Sequence, residues 1–216
     1  MNNNSLNSGV AMDVGLCRKE RHKLLRKSDI IRAAEHVFAL KGFHKATIQD
    51  IARQAQYATG TVYLYFKDKD ALYFSIVEDK LKDFLHILGP KISQSKKGPR
   101  EKLEVFIYES LRFAKTNQDF FRVFVQETTR WSTKSKLDKS AIVQKRKEFL
   151  IELIEEAQSE GVIRDDVEAK QVVDILESII VSFVLSWLQG KPQGDVDIEA
   201  VSGVIADLFF NGVKKK

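Results

Sequence analysis

The residues whose types and spacing could do chemistry fall between Thr59 and Lys69, and the chemistry is recognition rather than catalysis. A short helix is expected over Thr59–Phe66, with Val62 and Phe66, four apart, on its buried side. Thr59, Gly60, Thr61, Tyr63, Leu64 and Tyr65 then fall on outward or flanking sides, and Lys67 and Lys69 follow at once. Exposed aromatics beside a basic cluster mark a binding surface better than they suit a purely solvated helix. Hydroxyls and ammonium groups hold phosphate oxygens, while base edges carry sequence information. The set is that of a helix made to lie in a DNA groove.

Catalytic and metal chemistry find no support in the sequence. His22, His36, His44 and His86 are scattered at no ligand spacing, and the single cysteine, Cys17, supplies neither a zinc cluster nor a disulfide. Nucleotide-binding glycine motifs and a G-x-S-x-G nucleophile elbow are absent from the text. Glu155-Glu156 and Asp165-Asp166 are adjacent pairs, which diverge on a helix and read as solvated surface. No enzyme activity, metal or cofactor is expected.

The chain has 216 residues, 44% hydrophobic and 30% charged, the profile of an ordinary globular protein with a core. Its net charge of +5 is unevenly spread. Residues 1–70 hold 12 Lys and Arg against 7 Asp and Glu, whereas residues 71–216 are balanced. That split is either a solvated basic face or a polyanion-binding module joined to a neutral domain. No apolar run is read as approaching the roughly 18–20 residues of a membrane span, and the N-terminus lacks the pattern of a secretory signal.

Helical periodicity and helix-stop residues give an all-α fold of about nine helices. Residues 1–27 read as a flexible arm, Asn- and Ser-rich at first and basic over 18–27, where six bases accompany one acid. The arm is either a solubilising tail or a reach toward phosphates and the minor groove. Helices are expected over about 28–41, 47–55, 59–66, 68–88, 99–116, 118–131, 137–160, 167–189 and 195–211. Gly42, Gly89-Pro90, Gly161 and Gly190 serve as stops, and Ser28, Asp68 and Asp195 as N-caps. Thr47-x-x-Asp50 resembles a capping box. Residues 28–73 read as a helix-turn-helix domain and 74–216 as a second helical domain, to which the family resemblance given next implies effector binding and dimerisation.

The text AAEHVFALKGFHKATIQDIARQAQYATGTVYLYFKDKDAL, residues 33–72, strongly resembles the DNA-binding domain of the TetR/AcrR family of bacterial transcriptional regulators. Phe38, Gly42-Phe43, Thr47-Ile48, Ile51-Ala52, Gly60-Thr61-Val62-Tyr63, Tyr65-Phe66, Lys69 and Leu72 carry the resemblance. It implies that Thr47 contacts phosphate and that Gln49 and Arg53 lie on the side of their helix that approaches DNA. Tyr63 and Lys69 are implied as backbone clamps. Without Arg, Lys or Asn on the recognition helix, direct readout leans on Thr and Tyr hydroxyls and on apolar contact with thymine methyls. Gln49 is the side chain suited to bidentate adenine reading.

In the C-terminal region, 172–188 is apolar nearly all round, and a second subunit is the economical way to bury it. The last helix, with Val201, Val204, Ile205, Leu208 and Phe209, would join it, and the resemblance implies a homodimer through the last two helices, with Ile179, Leu185, Trp187, Ile205 and Phe209 foremost among the interface residues. Ser178, Ser182 and Ser186 form a small-residue stripe, suited to close helix packing or to lining a cavity. Phe106, Phe113, Phe120, Phe121, Phe124, Trp131 and Phe183 are core residues in the plainer reading. The resemblance adds an apolar pocket for a small lipophilic effector among them, with Glu109, Arg112 or Glu127 as polar anchors. The expected function is a ligand-responsive repressor on a palindromic double-stranded operator, in the bacterial cytoplasm and at the nucleoid when bound. The alternative is a DNA-bound factor that recruits a protein and has no small-molecule effector.

Overall fold

The computed structural model describes residues 17–93, 98–128, 139–189 and 196–213. Among these the chain is entirely helical, with α1 (Arg18–Lys41), α2 (Ile48–Ala55), α3 (Thr59–Tyr63), α4 (Lys69–Ser93), α5 (Pro99–Thr116), α6 (Gln118–Thr128), α7 (Ala141–Ser159), α8 (Ala169–Gln189) and α9 (Ile198–Val213). The chain divides into two compact units, one ending at Tyr73 and the other beginning at Phe74.

The first unit is built on one apolar stripe of α1. Ile30, Ala34, Val37 and Phe38 are buried on it, together with Ile51 and Ala52 of α2 and Val62 of α3. Phe43, in the turn after α1, stacks at an angle against Phe38 and edge-on to Tyr73, with ring centroids 5.2 and 5.4 Å apart. Gly42 makes that turn possible, because its φ of +74° lies in the region that side chains disfavour.

The basic segment 18–27, read above as flexible arm, is helical and continuous with α1. Its Lys, Arg, Glu and Leu residues are strong helix formers, and neither Gly nor Pro interrupts them. Ser28 is therefore an interior residue of α1 and not its cap.

The second unit packs α5, α7, α8 and α9 around a core that includes Leu103, Ile107, Leu111, Leu150, Ile154, Leu176 and Phe209. Helix α4 does not stop at Gly89-Pro90; it continues to Ser93 with Pro90 inside it. Leu88 and Ile92, four apart and both buried, reward the extra turn. The Ser93 hydroxyl donates to the Gly89 carbonyl at 2.7 Å. Helix α9 begins after Asp197, whose carboxylate accepts the Ala200 N–H at 3.0 Å. Asp195, the expected cap, lies outside the described residues.

Ala169–Leu188 of α8, 20 residues of mean hydropathy 1.7, is long and apolar enough to cross a membrane. That corrects the sequence reading that no stretch approaches such a length. Its carboxylates are tied to α7, Asp174 to Lys147 at 2.7 Å and Glu177 to Arg146.

Two expected interface residues, Ile205 and Phe209, are 5% and 2% exposed and belong to the chain's own core. Of the other residues expected to join them, Val204 is 59% and Leu208 65% exposed, and Ile175 of α8 is 48% exposed. Ile179, Leu185 and Trp187 are half-buried.

Candidate nucleic-acid interface

Helix α2 is fixed at its start by a reciprocal cap. The Thr47 hydroxyl accepts the Asp50 N–H at 3.1 Å, and the Asp50 carboxylate accepts the Thr47 N–H at 3.1 Å. Thr47 Oγ1 also donates to Asp50 Oδ2 at 2.8 Å. Lys41, in the last turn of α1, donates to the same carboxylate at 2.7 Å. The Lys41 hydrogen bond, then that of Thr47, lowers the Asp50 pKa to about 2. One carboxylate thus joins the end of α1 to the start of α2, and it spends the hydroxyl proton that Thr47 was expected to offer to phosphate.

The turn into α3 is set by Gln56, in left-handed geometry at φ 58°, ψ 37°. Tyr57 then donates its hydroxyl to Asp29 of α1 at 3.0 Å, and that hydrogen bond raises the Tyr57 pKa. Neither Asp29 nor Tyr57 stands out in the sequence, since a pair 28 residues apart leaves no local pattern. Val62 and Phe66, 0% and 3% exposed, pin α3 to the core from below.

What remains faces solvent. Leu64 is 82% and Tyr63 52% exposed; Gly60 and Lys67 are exposed, and Thr59, Thr61 and Tyr65 are half-buried. A side chain at Gly60 would meet nothing of the chain itself within 4 Å, so its absence clears space on the outer side. Gln49 and Arg53 of α2 are also exposed. The regular α3 is shorter than expected, ending at Tyr63, but the Phe66 N–H still bonds the Val62 carbonyl at 3.0 Å and carries the coil on.

Lys69 differs from the expectation of a phosphate clamp. Its ammonium donates to the carbonyls of Phe43, His44 and Ala46 at 2.5, 3.2 and 3.0 Å and sits 4.5 Å from the centre of the Phe43 ring. It closes the α1–α2 turn from behind. Lys67, in contrast, is exposed and only loosely near Asp68 at 3.8 Å. Asp68 caps α4 by accepting the Ala71 N–H at 2.6 Å.

In the second unit, Phe106, Glu109 and Phe113 are buried, and Phe121, Phe124 and Phe183 are half-buried; Trp131 lies outside the described residues. Rings link through Phe120 and through Phe84, which the sequence reading left out of the aromatic cluster. Phe84 meets Phe106 at 6.1 Å and Phe113 at 5.3 Å, and Phe120 meets Phe121 and Phe124 at 5.2 and 5.4 Å. The Glu109 carboxylate, 2% exposed as a residue, is held by Lys91 and by Arg112, the latter at 2.7 Å. Two open hollows of about 510 and 560 Å³ lie elsewhere, one beside Glu155, Asp165 and Asp166, the other along Asp174, Ile175, Ser178, Ile179 and Ser182. Among the described residues no group of three or more His, Cys, Asp or Glu is placed to hold a metal ion.

The family model for bacterial regulatory proteins of the tetR family matches residues 30–76, and the one for the tetracyclin repressor-like C-terminal domain matches 96–213. The chain is similar to the fatty acid metabolism regulator protein of Bacillus subtilis, 24% identical over 91% of this chain and 100% of that one. It is likewise 24% identical to the HTH-type transcriptional repressor KstR2 of Mycolicibacterium smegmatis, over 87% of this chain and 90% of the relative. Its fold matches the crystal structure of the regulator FadR from Bacillus subtilis in complex with stearoyl-CoA. The TM-score is 0.77, with 24% identity over 86% of this chain and 98% of that one.

Proposed function

From the premise that the chain belongs to the TetR family of bacterial regulatory proteins, and is therefore a DNA-binding regulator and not an enzyme, we infer that it is a homodimeric repressor released from a palindromic operator by a lipophilic effector of the fatty-acyl class. The observation that carries the DNA side is the outward set Gly60, Tyr63, Leu64 and Lys67 above a helix pinned by Val62 and Phe66. In a two-fold dimer, two such helices enter successive major grooves about 34 Å apart. Thr59, Thr61 and Tyr65 flank that surface, with Gln49 and Arg53 of α2 beside it. The exposed Ile175, Val204 and Leu208 support a dimer through α8 and α9. The stripe of Ser178, Ser182 and Ser186 would let two such helices approach closely.

The effector class draws on the phenylalanine cluster of α5 and α6 and on the stearoyl-CoA held by the similar regulator. Such a ligand releases the operator by favouring a conformation that binds DNA less well. The site of action is the bacterial cytoplasm, at the nucleoid when bound. The test is a titration of the protein against its own upstream region and against a scrambled duplex, with and without a long-chain acyl-CoA. A preference of the order of a thousandfold, abolished by the acyl-CoA, is the expected result. Equal binding to both duplexes sinks the repressor reading, and an operator complex indifferent to acyl-CoA and to free fatty acids sinks the effector. The second reading, a DNA-bound factor that recruits a protein, draws on the ring-against-ring packing of Phe84, Phe106 and Phe113.

A further inference from the structure

Ten residues at the start of α1, Arg18–Lys27, are all exposed and take no part in the core. They hold six bases against one acid, which equals the net charge of the entire chain, +5. The single acid, Glu20, accepts the Cys17 N–H at 3.2 Å at the helix start. The bases are ordered by the helix. Lys27, Arg26, Lys23 and Lys19 precede the fully buried Ile30 by three, four, seven and eleven residues, so they continue the very stripe that is buried further along.

Three contacts fix where this basic face leaves the domain. Lys27 Nζ lies 5.8 Å from the centre of the Phe66 ring, just past the recognition helix. Asp29 receives the Tyr57 hydroxyl from the α2–α3 turn. The charge of Arg26 is near enough to act on Tyr57. The extension therefore departs beside the recognition helix, on the side of the α2–α3 turn. Ten helical residues span roughly 15 Å, an axial run of about four phosphates of one strand.

We propose that Arg18–Lys27 is a second DNA-contacting element, a rigid basic helix laid along the phosphate backbone beside the recognition helix, supplying affinity without reading sequence. This rests on the DNA-binding reading above. Rigidity matters because a preformed helix holds its ammonium and guanidinium groups in place, whereas a loose tail must be ordered on binding.

Full-length protein is titrated by anisotropy with two labelled duplexes, its own upstream region and a random sequence, across a salt series. The triple variant Lys19→Ala, Lys23→Ala, Arg26→Ala is expected to weaken binding to both by the same factor, about tenfold or more. Its log–log salt slope should fall by about 2–3 per protomer. Leu25→Pro keeps every charge and breaks the helix; it is expected to lose a similar share of affinity. An unchanged slope in the triple variant overturns the proposal. Wild-type affinity in Leu25→Pro overturns the rigid helix, since a tail would serve as well. A triple variant that loses binding to phosphatidylglycerol vesicles and not to DNA assigns the segment to a lipid surface and also overturns it. If wild-type protein binds neither duplex, the DNA-binding reading itself fails, which is a separate result.

Discussion

The residues proposed to bind DNA lie outside the core of the first unit, whereas those proposed to bind an effector lie within the core of the second. In the first, the buried side chains Ile51, Val62 and Phe66 fix two helices, and the residues left over face outward as the proposed binding surface. In the second, the aromatic residues suited to an effector face inward and touch one another. An outward site can be read by subtraction: locate the core positions, and the remainder is the site. An inward site is made of the same residue types as the core around it. Only the spacing between packed rings separates a pocket from a filled interior, and spacing between elements distant in the chain has no local signature.

The largest expected effect tests this directly on α9, where a single residue step separates core from surface. Phe209→Ala removes a 2%-exposed ring and should destabilise the fold by about 3–5 kcal/mol in urea unfolding. Leu208→Asp alters a 65%-exposed side chain. It should leave the subunit folded while light scattering shows the dimer dissociating. A Leu208→Asp protein that stays dimeric places the interface elsewhere; a Phe209→Ala protein of wild-type stability would undo the core assignment.

The same one-residue step explains why the sequence alone groups the buried Ile205 and Phe209 with the exposed Val204 and Leu208. Where apolar residues fall on more than one side of a helix, as Val204, Ile205, Leu208 and Phe209 do in Ile198–Val213, periodicity cannot say which apolar face meets the chain's own core and which meets a partner. The first unit offered a sharper contrast. Thr47 and Asp50 at cap spacing, Gly42 after α1, and Val62 and Phe66 four apart each follow from local rules, and the structure has them so. The all-α fold was legible for the same reason, with helices starting and stopping at caps and breakers. Exceptions came where distant burial outweighed a local stop, as at Pro90. They came also where a charged segment was a better helix former than its solubility suggested, as at 18–27.

Lys69 sharpens the comparison from inside the reading unit. Its type and position suit phosphate, yet its ammonium is occupied by three backbone carbonyls. Lys69→Ala should therefore lower the thermal stability of the first unit, by about 1.5–3 kcal/mol for the lost charge-assisted bonds. The salt slope of DNA binding, extrapolated to fully folded protein, should not change. Lys67→Ala should do the reverse, leaving stability within about 0.5 kcal/mol and reducing the slope by about 0.9 per protomer. A slope loss in Lys69→Ala as large as that in Lys67→Ala would restore the phosphate role.

A smaller effect is set by pH. The Asp50 pKa lies below its ordinary value because the folded chain holds the ionised carboxylate beside Lys41 and Thr47. A depressed carboxylate stabilises the fold above its unfolded pKa, and that contribution is lost as pH falls through the folded value. The window runs from the ordinary 3.8 down to about 2. Asp50→Asn should thus be less stable than wild type at neutral pH, with the gap closing between about pH 4 and pH 2. A gap constant across that range would mean the carboxylate's charge is irrelevant to the cap.

The smallest effect concerns Gln56, where the first unit breaks the local rules that otherwise make it legible. The left-handed conformation there disfavours any residue with a side chain by about 1–2 kcal/mol, and Gly would be the ordinary choice after a helix such as α2. Gly has its own entropic cost of about 0.5–1 kcal/mol in the unfolded chain. Gln56→Gly should then raise stability by roughly 0.5–1 kcal/mol. The bonds that hold the turn are backbone ones, from the Tyr57 N–H to the Ala52 carbonyl at 2.9 Å and from the Gln56 N–H to the Arg53 carbonyl at 3.2 Å, and they survive the change. The angle between α2 and α3 should therefore persist, and operator affinity with it. If affinity falls while stability rises, the exposed Gln56 side chain touches DNA, and the strain at this turn is retained for recognition. If stability falls instead, the side chain supports the turn, and the left-handed geometry is not where this unit departs from its local rules.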